Sequence, residues 1–80
     1  MLDTVSIGGI IHKHRTDKGL SQEVLSGLAT LDRTHYSKIE RGLRSPTLET
    51  LFKIAYALGI HPHELVKAIE SEAVHSGGAG

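Results

Sequence analysis

Arg33, Thr34, Ser37, Lys38 and Arg41 follow one another at spacings of one, three, one and three residues. At about 100° per residue they share one face of a single helix, with Tyr36, Ile39 and Glu40 on the opposite face. Arg33, Thr34 and Lys38 are donors long enough to reach the edges of base pairs, and arginine or lysine to guanine is the commonest specific pairing in the major groove. Taken alone, the same row also describes a solvated helix face, so its meaning depends on what surrounds it.

Six histidines raise a second possibility, metal binding. His12 and His14, like His61 and His63, are two residues apart, a spacing at which helical side chains diverge; a zinc pair on a helix needs i, i+4. With no cysteine and no carboxylate at ligand spacing, neither a metal nor a cofactor is expected. His14 is expected to be a partly buried, satisfied side chain. His35 borders the polar face, and an imidazole there would make an anion contact pH-dependent. No nucleophile elbow, phosphate loop or paired-carboxylate motif is present, and a small core leaves little room for a cleft, so no enzyme is expected.

The elements that must position these side chains come from 80 residues, 39% hydrophobic and 22% charged. A chain of that size buries roughly 60% of its unfolded surface, enough for one core. Without disulfides, helix packing has to hold it together. No apolar run approaches the ~20 residues of a membrane span, and Met1-Leu2-Asp3 lacks the start of a signal peptide, so a soluble cytoplasmic protein is expected.

Periodicity and caps predict an all-α, five-helix domain over residues 1–75, with helices at about 4–18, 21–29, 32–41, 46–58 and 61–72. Ile7, Ile10 and Ile11 mark the first, despite the adjacent Gly8 and Gly9. Ser21 and Asp32 are N-caps for the second and third, and Gly42 suits the left-handed C-terminal position. Only Thr30 and Leu31 separate those two helices, which forces a steep crossing. Ser45-Pro46-Thr47 offers a cap and a first-turn proline for the fourth helix, apolar around most of its circumference and therefore placed centrally. His61-Pro62 opens the fifth, and Ser76-Gly77-Gly78-Ala79-Gly80 reads as a disordered tail.

Equal numbers of basic and acidic residues, 9 each, conceal an asymmetry. Residues 12–44 carry a net +3, residues 45–80 a net −2, and Asp3 the remaining −1. One face suits a polyanion and the other something else.

Leu20-Ser21-Gln22-Glu23-Val24-Leu25, the run Leu31-Asp32-Arg33-Thr34-His35-Tyr36-Ser37-Lys38-Ile39-Glu40-Arg41-Gly42, and Arg44-Ser45-Pro46-Thr47-Leu48-Glu49-Thr50-Leu51 together resemble the phage-repressor-like (Cro/CI-like), XRE-type helix-turn-helix family. The resemblance covers about residues 7–69. The Leu-Asp-Arg-Thr start of the third helix is similar to the controller proteins of restriction-modification systems, which are compact dimeric regulators of transcription. The resemblance implies a compact phage-repressor-like domain that binds double-stranded DNA, with Arg33 and Thr34 reading bases, Lys38 a third reader, and His35 beside them. It implies phosphate contacts by Gln22, Arg41 and Arg44, joined by Ser37 on the same face, and an internal ion pair between Arg15 and Glu40. Phosphate contacts fix register while groove contacts discriminate sequence. The first N–H groups of the second helix add an anion site near Gln22, and Asp32 is most simply the helix cap.

Two positions depart from the family pattern. Thr30 stands where many members have glycine, so the turn either avoids the left-handed conformation or stores about 1–3 kcal/mol in it. Tyr36 replaces an aliphatic core residue, so its ring is expected to be buried while its hydroxyl reaches solvent or backbone.

A single half-site contact would be weak, so a symmetric homodimer is expected, with reading helices about 34 Å apart. Leu58, Ile60, Leu65, Val66 and Ile69 are the interface candidates, or else they close the monomer core. The rival function is an antitoxin or protein-interaction module whose acidic C-terminal half binds a protein partner.

Overall fold

The structure, a computed structural model, describes the backbone of residues 3–78 and the side chains of residues 3–72. Its helices are α1 (Thr4–Asp17), α2 (Gln22–Leu28), α3 (Arg33–Glu40), α4 (Leu48–Ala57) and α5 (Pro62–Gly78). No strand occurs among the described residues, and no helix there is long and apolar enough to cross a membrane. Of the tail expected to be disordered at 76–80, the backbone of 76–78 continues α5, and 79–80 lie outside the described residues.

Each of the first four helices opens on a side-chain cap. Asp3, Ser21, Asp32 and Thr47 accept from the backbone N–H of Val5, Val24, His35 and Thr50, each at 3.1 Å. Thr47 therefore replaces Ser45 as the cap of α4, and Pro46 lies before the helix rather than in its first turn. The same four helices close on a residue with positive φ: Gly19, Thr30, Gly42 and Gly59. At each close, that residue and the next donate back to the last turn, as Thr30 and Leu31 do to the carbonyls of Gly27 and Ser26. Three of the four positions have glycine; Thr30, at φ 53°, adopts the conformation with a β-branched side chain.

Ile7 and Ile11 of α1, Leu25 of α2, Tyr36 and Ile39 of α3, Leu51, Ile54 and Ala55 of α4, Leu58, and Leu65 and Ile69 of α5 form the core. α1 packs on α3 and α5, α2 on α3 and α4, and α4 on α5. Gly8 explains itself here: a Cβ at that position would lie 2.4 Å from the carbonyl oxygens of Ile39 and Glu40, so only glycine lets α1 approach the end of α3.

Two expectations about apolar residues are corrected. α4 is not enclosed, because Leu48, Phe52 and Tyr56, four residues apart, form an exposed stripe (69%, 40% and 64%) opposite its core face. Leu58, Leu65 and Ile69 are at most 6% exposed within the monomer and have no surface to offer an interface. Of the five candidates, Ile60 is half-buried against the core and Val66 is exposed.

Candidate nucleic-acid interface

α3 is short, and both of its ends are tied. Asp32 holds the first turn, while Glu40, the last helical residue, is buried and gathers side chains from two other helices. Arg15 of α1 donates to it through Nε (2.7 Å to Oε2) and Nη2 (2.8 Å to Oε1), a two-point contact that fits the planar guanidinium. Arg15 Nη1 also donates to the Leu20 carbonyl at 2.6 Å, which ties α1 to the start of the helix-turn-helix. Gln22 of α2 donates to Oε1 at 3.1 Å, and His12 of α1 places Nδ1 at 2.8 Å from the same oxygen. The Tyr36 hydroxyl donates to Oε2.

The Tyr36 ring is fully buried, as expected, but the expectation for its hydroxyl is corrected: it reaches neither solvent nor backbone but the Glu40 carboxylate. Burial alone would raise the Glu40 carboxyl, but bonds from Arg15, Tyr36, His12 and Gln22 outweigh it and hold the group at about 2. Burial pushes the Tyr36 hydroxyl well above its usual range, and the bond to Glu40 adds to this. The Glu40 bond likewise raises Arg15, against the opposing effect of burial.

The other face of α3 is open. Arg33, Thr34 and His35 are exposed, Ser37 and Lys38 half-buried, and Arg41 and Arg44 exposed just beyond the helix. Among the described residues, the ion pairs are His12 with Glu40 and Arg15 with Glu40; Arg33, Lys38, Arg41 and Arg44 form none. One cation, Arg15, is thus locked inside, while four of the others, Arg33, Lys38, Arg41 and Arg44, lie on or just beyond one short helix.

Glu40 accepts from five donors, although a carboxylate offers about four lone-pair sites. The Gln22 amide makes the longest of the five bonds, so it can turn outward without leaving the carboxylate unsatisfied. His12 is the member that the sequence did not single out. Its spacing of three from Arg15, like that of four between Tyr36 and Glu40, was the available local signal.

His14, His61 and His63 sit apart from this cluster. His14 is half-buried with Nδ1 2.9 Å from the Ile10 carbonyl. His61 and His63 stack at 5.4 Å rather than diverging, because His61 precedes α5 and helical spacing does not apply to it. No group of three or more potential metal ligands occurs among the described residues.

Comparison with known proteins places these features in context. The family pattern described as helix-turn-helix matches residues 11–65. The chain is 47% identical over 62 residues to the control protein C.MunI of a Mycoplasma species, covering 78% of this chain and 81% of that one. It is 38% identical over 60 residues to the HTH-type transcriptional regulator y4dJ of Sinorhizobium fredii, covering 75% and 78%. The restriction-modification controller protein C.AhdI from Aeromonas hydrophila superimposes with a TM-score of 0.76 at 46% identity, over 79% of this chain and 96% of that one.

Proposed function

Because the chain belongs to the XRE-type helix-turn-helix family, a family of DNA-binding regulators of transcription, we propose that it recognises a specific DNA sequence as a homodimer, with α3 in the major groove. The observation that carries this reading is the division of cations: Arg15 is locked to Glu40, while Arg33, Lys38, Arg41 and Arg44 surround α3 without an ionic partner among the described residues. Arg33, Thr34 and Lys38 address base edges, with His35 at their border. Gln22, Ser37, Arg41 and Arg44 address phosphates on either side. Gln22 can leave Glu40 for a phosphate, since four other donors remain on that carboxylate.

The homodimer reading draws on the α4 stripe of Leu48, Phe52 and Tyr56, with Val66 on the adjoining α5. Phe52 and Tyr56 meet edge to face at 6.2 Å and present a joint aromatic surface. A two-fold axis through such a patch would bring the same residues of two copies together, and interface cores favour aromatic side chains. The relatives named above are described as control proteins and regulators, which agrees with binding rather than catalysis.

The test is selection from a pool of random duplexes at two salt concentrations. The expected result is a palindrome with half-sites about one helical turn apart. Arg33→Ala should cost about 1–3 kcal/mol and relax discrimination at one base pair of each half-site. Failure to enrich any sequence, even at low salt, would overturn the reading and direct attention to a protein partner of the C-terminal half.

A further inference from the structure

We propose that His12 is a further contact to the DNA backbone, and that a proton is taken up at its Nε2 when a phosphate binds there. The inference rests on the DNA-binding reading above, because it needs a phosphate beside Gln22.

Three observations lead to it. First, His12 Nδ1 and Gln22 Nε2 lie 2.8 and 3.1 Å from one oxygen, Glu40 Oε1, so the two nitrogens are within about 6 Å of each other. A phosphate that draws Gln22 outward therefore arrives beside the imidazole. Second, the His12 side chain is 55% exposed, against 2% for that of Glu40, and Nε2 makes no hydrogen bond among the described residues. The ring is anchored at one nitrogen and free at the other.

Third, the anchor decides what the free nitrogen can do. Glu40 is ionised at neutral pH, so its oxygen only accepts, and the 2.8 Å contact requires the hydrogen to be on His12 Nδ1. In the neutral ring Nε2 then carries a lone pair, which repels a phosphate oxygen. Only the charged ring has an N–H at both positions and can bridge Glu40 to a phosphate. Contact and proton uptake are consequently the same event.

Each element packed against the ring presents identifiable groups to it. From α3 the ring faces the Glu40 anion and the neutral hydroxyl of Tyr36, from α2 the neutral amide of Gln22, and from its own helix the Arg15 guanidinium, whose Nη2 is 3.2 Å from Nδ1. No charged side chain of α5, which also packs on α1, pairs with His12 among the described residues. A phosphate at Nε2 adds an anion beside the ring. Imidazole is the side chain whose charge changes between about pH 5 and 8, so the coupling falls in a range where the domain can be measured.

The experiment measures binding of the full chain to a mixed-sequence DNA duplex as a function of salt, at about pH 6 and about pH 8. The expected result is a logarithmic salt slope steeper at the lower pH by about 0.9 per protomer, one extra phosphate neutralised. Affinity should rise as pH falls, by at most about tenfold per pH unit for each proton linked. His12→Asn keeps an amide donor within reach of Glu40 and removes Nε2. It should lose the pH-dependent increment, whereas His63→Asn, in α5 and apart from the Glu40 cluster, should keep it. Calorimetry of the wild-type chain in two buffers of different ionisation enthalpy counts the proton without relying on a variant.

Equal slopes at the two pH values, no proton uptake, or an increment that survives His12→Asn would each overturn the proposal while leaving DNA binding in place. Absence of any duplex binding by the wild-type chain at either pH would overturn both.

Discussion

Glu40→Gln removes the charge on which α1, α2 and α3 converge while leaving the side chain almost unchanged in size. Arg15 would keep a buried guanidinium with no counter-ion, and one of the two accepting oxygens becomes a donor. Breaking a buried pair by removing one partner costs about 3–5 kcal/mol. The titration of the carboxyl gives a second figure: a group at about 2 rather than 4.5 corresponds to about 3 kcal/mol, at about 1.4 kcal/mol per tenfold change in proton affinity. Both are large for 80 residues, whose total stability at about 0.05–0.15 kcal/mol per residue is about 4–12 kcal/mol. The folded value lies below the unfolded one, so this stabilisation is complete above about pH 4.5 and lost as pH falls through about 2. Urea unfolding followed by circular dichroism, on wild type and variant from neutral pH down to about pH 2, should show curves about 3 kcal/mol apart that converge in acid. The other carboxylates titrate in both proteins and cancel from the difference. A gap below about 1 kcal/mol at neutral pH, or one that stays constant into acid, would refute the argument that Glu40 is a buried, charge-dependent brace.

Thr30→Gly removes a β-branched residue from φ 53°. Relief of about 1–3 kcal/mol of backbone strain, less the ~0.5–1 kcal/mol entropic cost of glycine, predicts a melting temperature unchanged or raised by several degrees. A clear fall would mean that the Thr30 hydroxyl bond to the Ala29 carbonyl outweighs the strain. The adjacent glycines of α1 should respond in opposite directions. Gly8→Ala drives a methyl into two carbonyl oxygens of α3 and should destabilise by about 1–3 kcal/mol, whereas Gly9→Ala, with nothing within 4 Å, should stabilise by about 1 kcal/mol in thermal or urea unfolding. Tyr56→Glu, on the exposed stripe of α4, should leave helicity intact and convert dimer to monomer in sedimentation; an unchanged mass would remove that stripe from the interface.

The helices were legible because their signals are local. Ser21 and Asp32 cap as their types imply, and the glycines after α1, α3 and α4 close those helices. Thr47 took the cap from Ser45 because both are adequate and only the packing of α4 chooses between them. Apolar content could not tell the inner side of α4 from the outer, since Leu51 and Phe52 look alike until α2 and α5 cover one side. The same ambiguity assigned Leu58, Leu65 and Ile69 to an interface when they fill the core. The polar centre was least legible. Arg15 and Glu40 are 25 residues apart, and only the family resemblance linked them. The parts played by His12 and the Tyr36 hydroxyl follow from how three helices converge, which no periodicity records.

That convergence also bears on how a helix of eight residues could read a groove. From Arg33 to Glu40, α3 is about 10 Å long at 1.5 Å per residue. Glu40 is its clamped end and Arg33 its presented end. A tilt of about 10° about Glu40 would move the Arg33 end by nearly 2 Å, more than the whole spread of about 2.7–3.2 Å over which an N–H···O hydrogen bond forms. On the proposed DNA-binding reading, a loose α3 would therefore lose base contacts without losing a single one of the residues assigned to them. The buried carboxylate, tied to α1 by Arg15 and His12 and to α2 by Gln22, sets the direction of the helix. Substitutions at Arg15 or Glu40 should accordingly weaken sequence discrimination even in molecules that remain folded, by misdirecting Arg33 and Thr34 rather than by removing a contact.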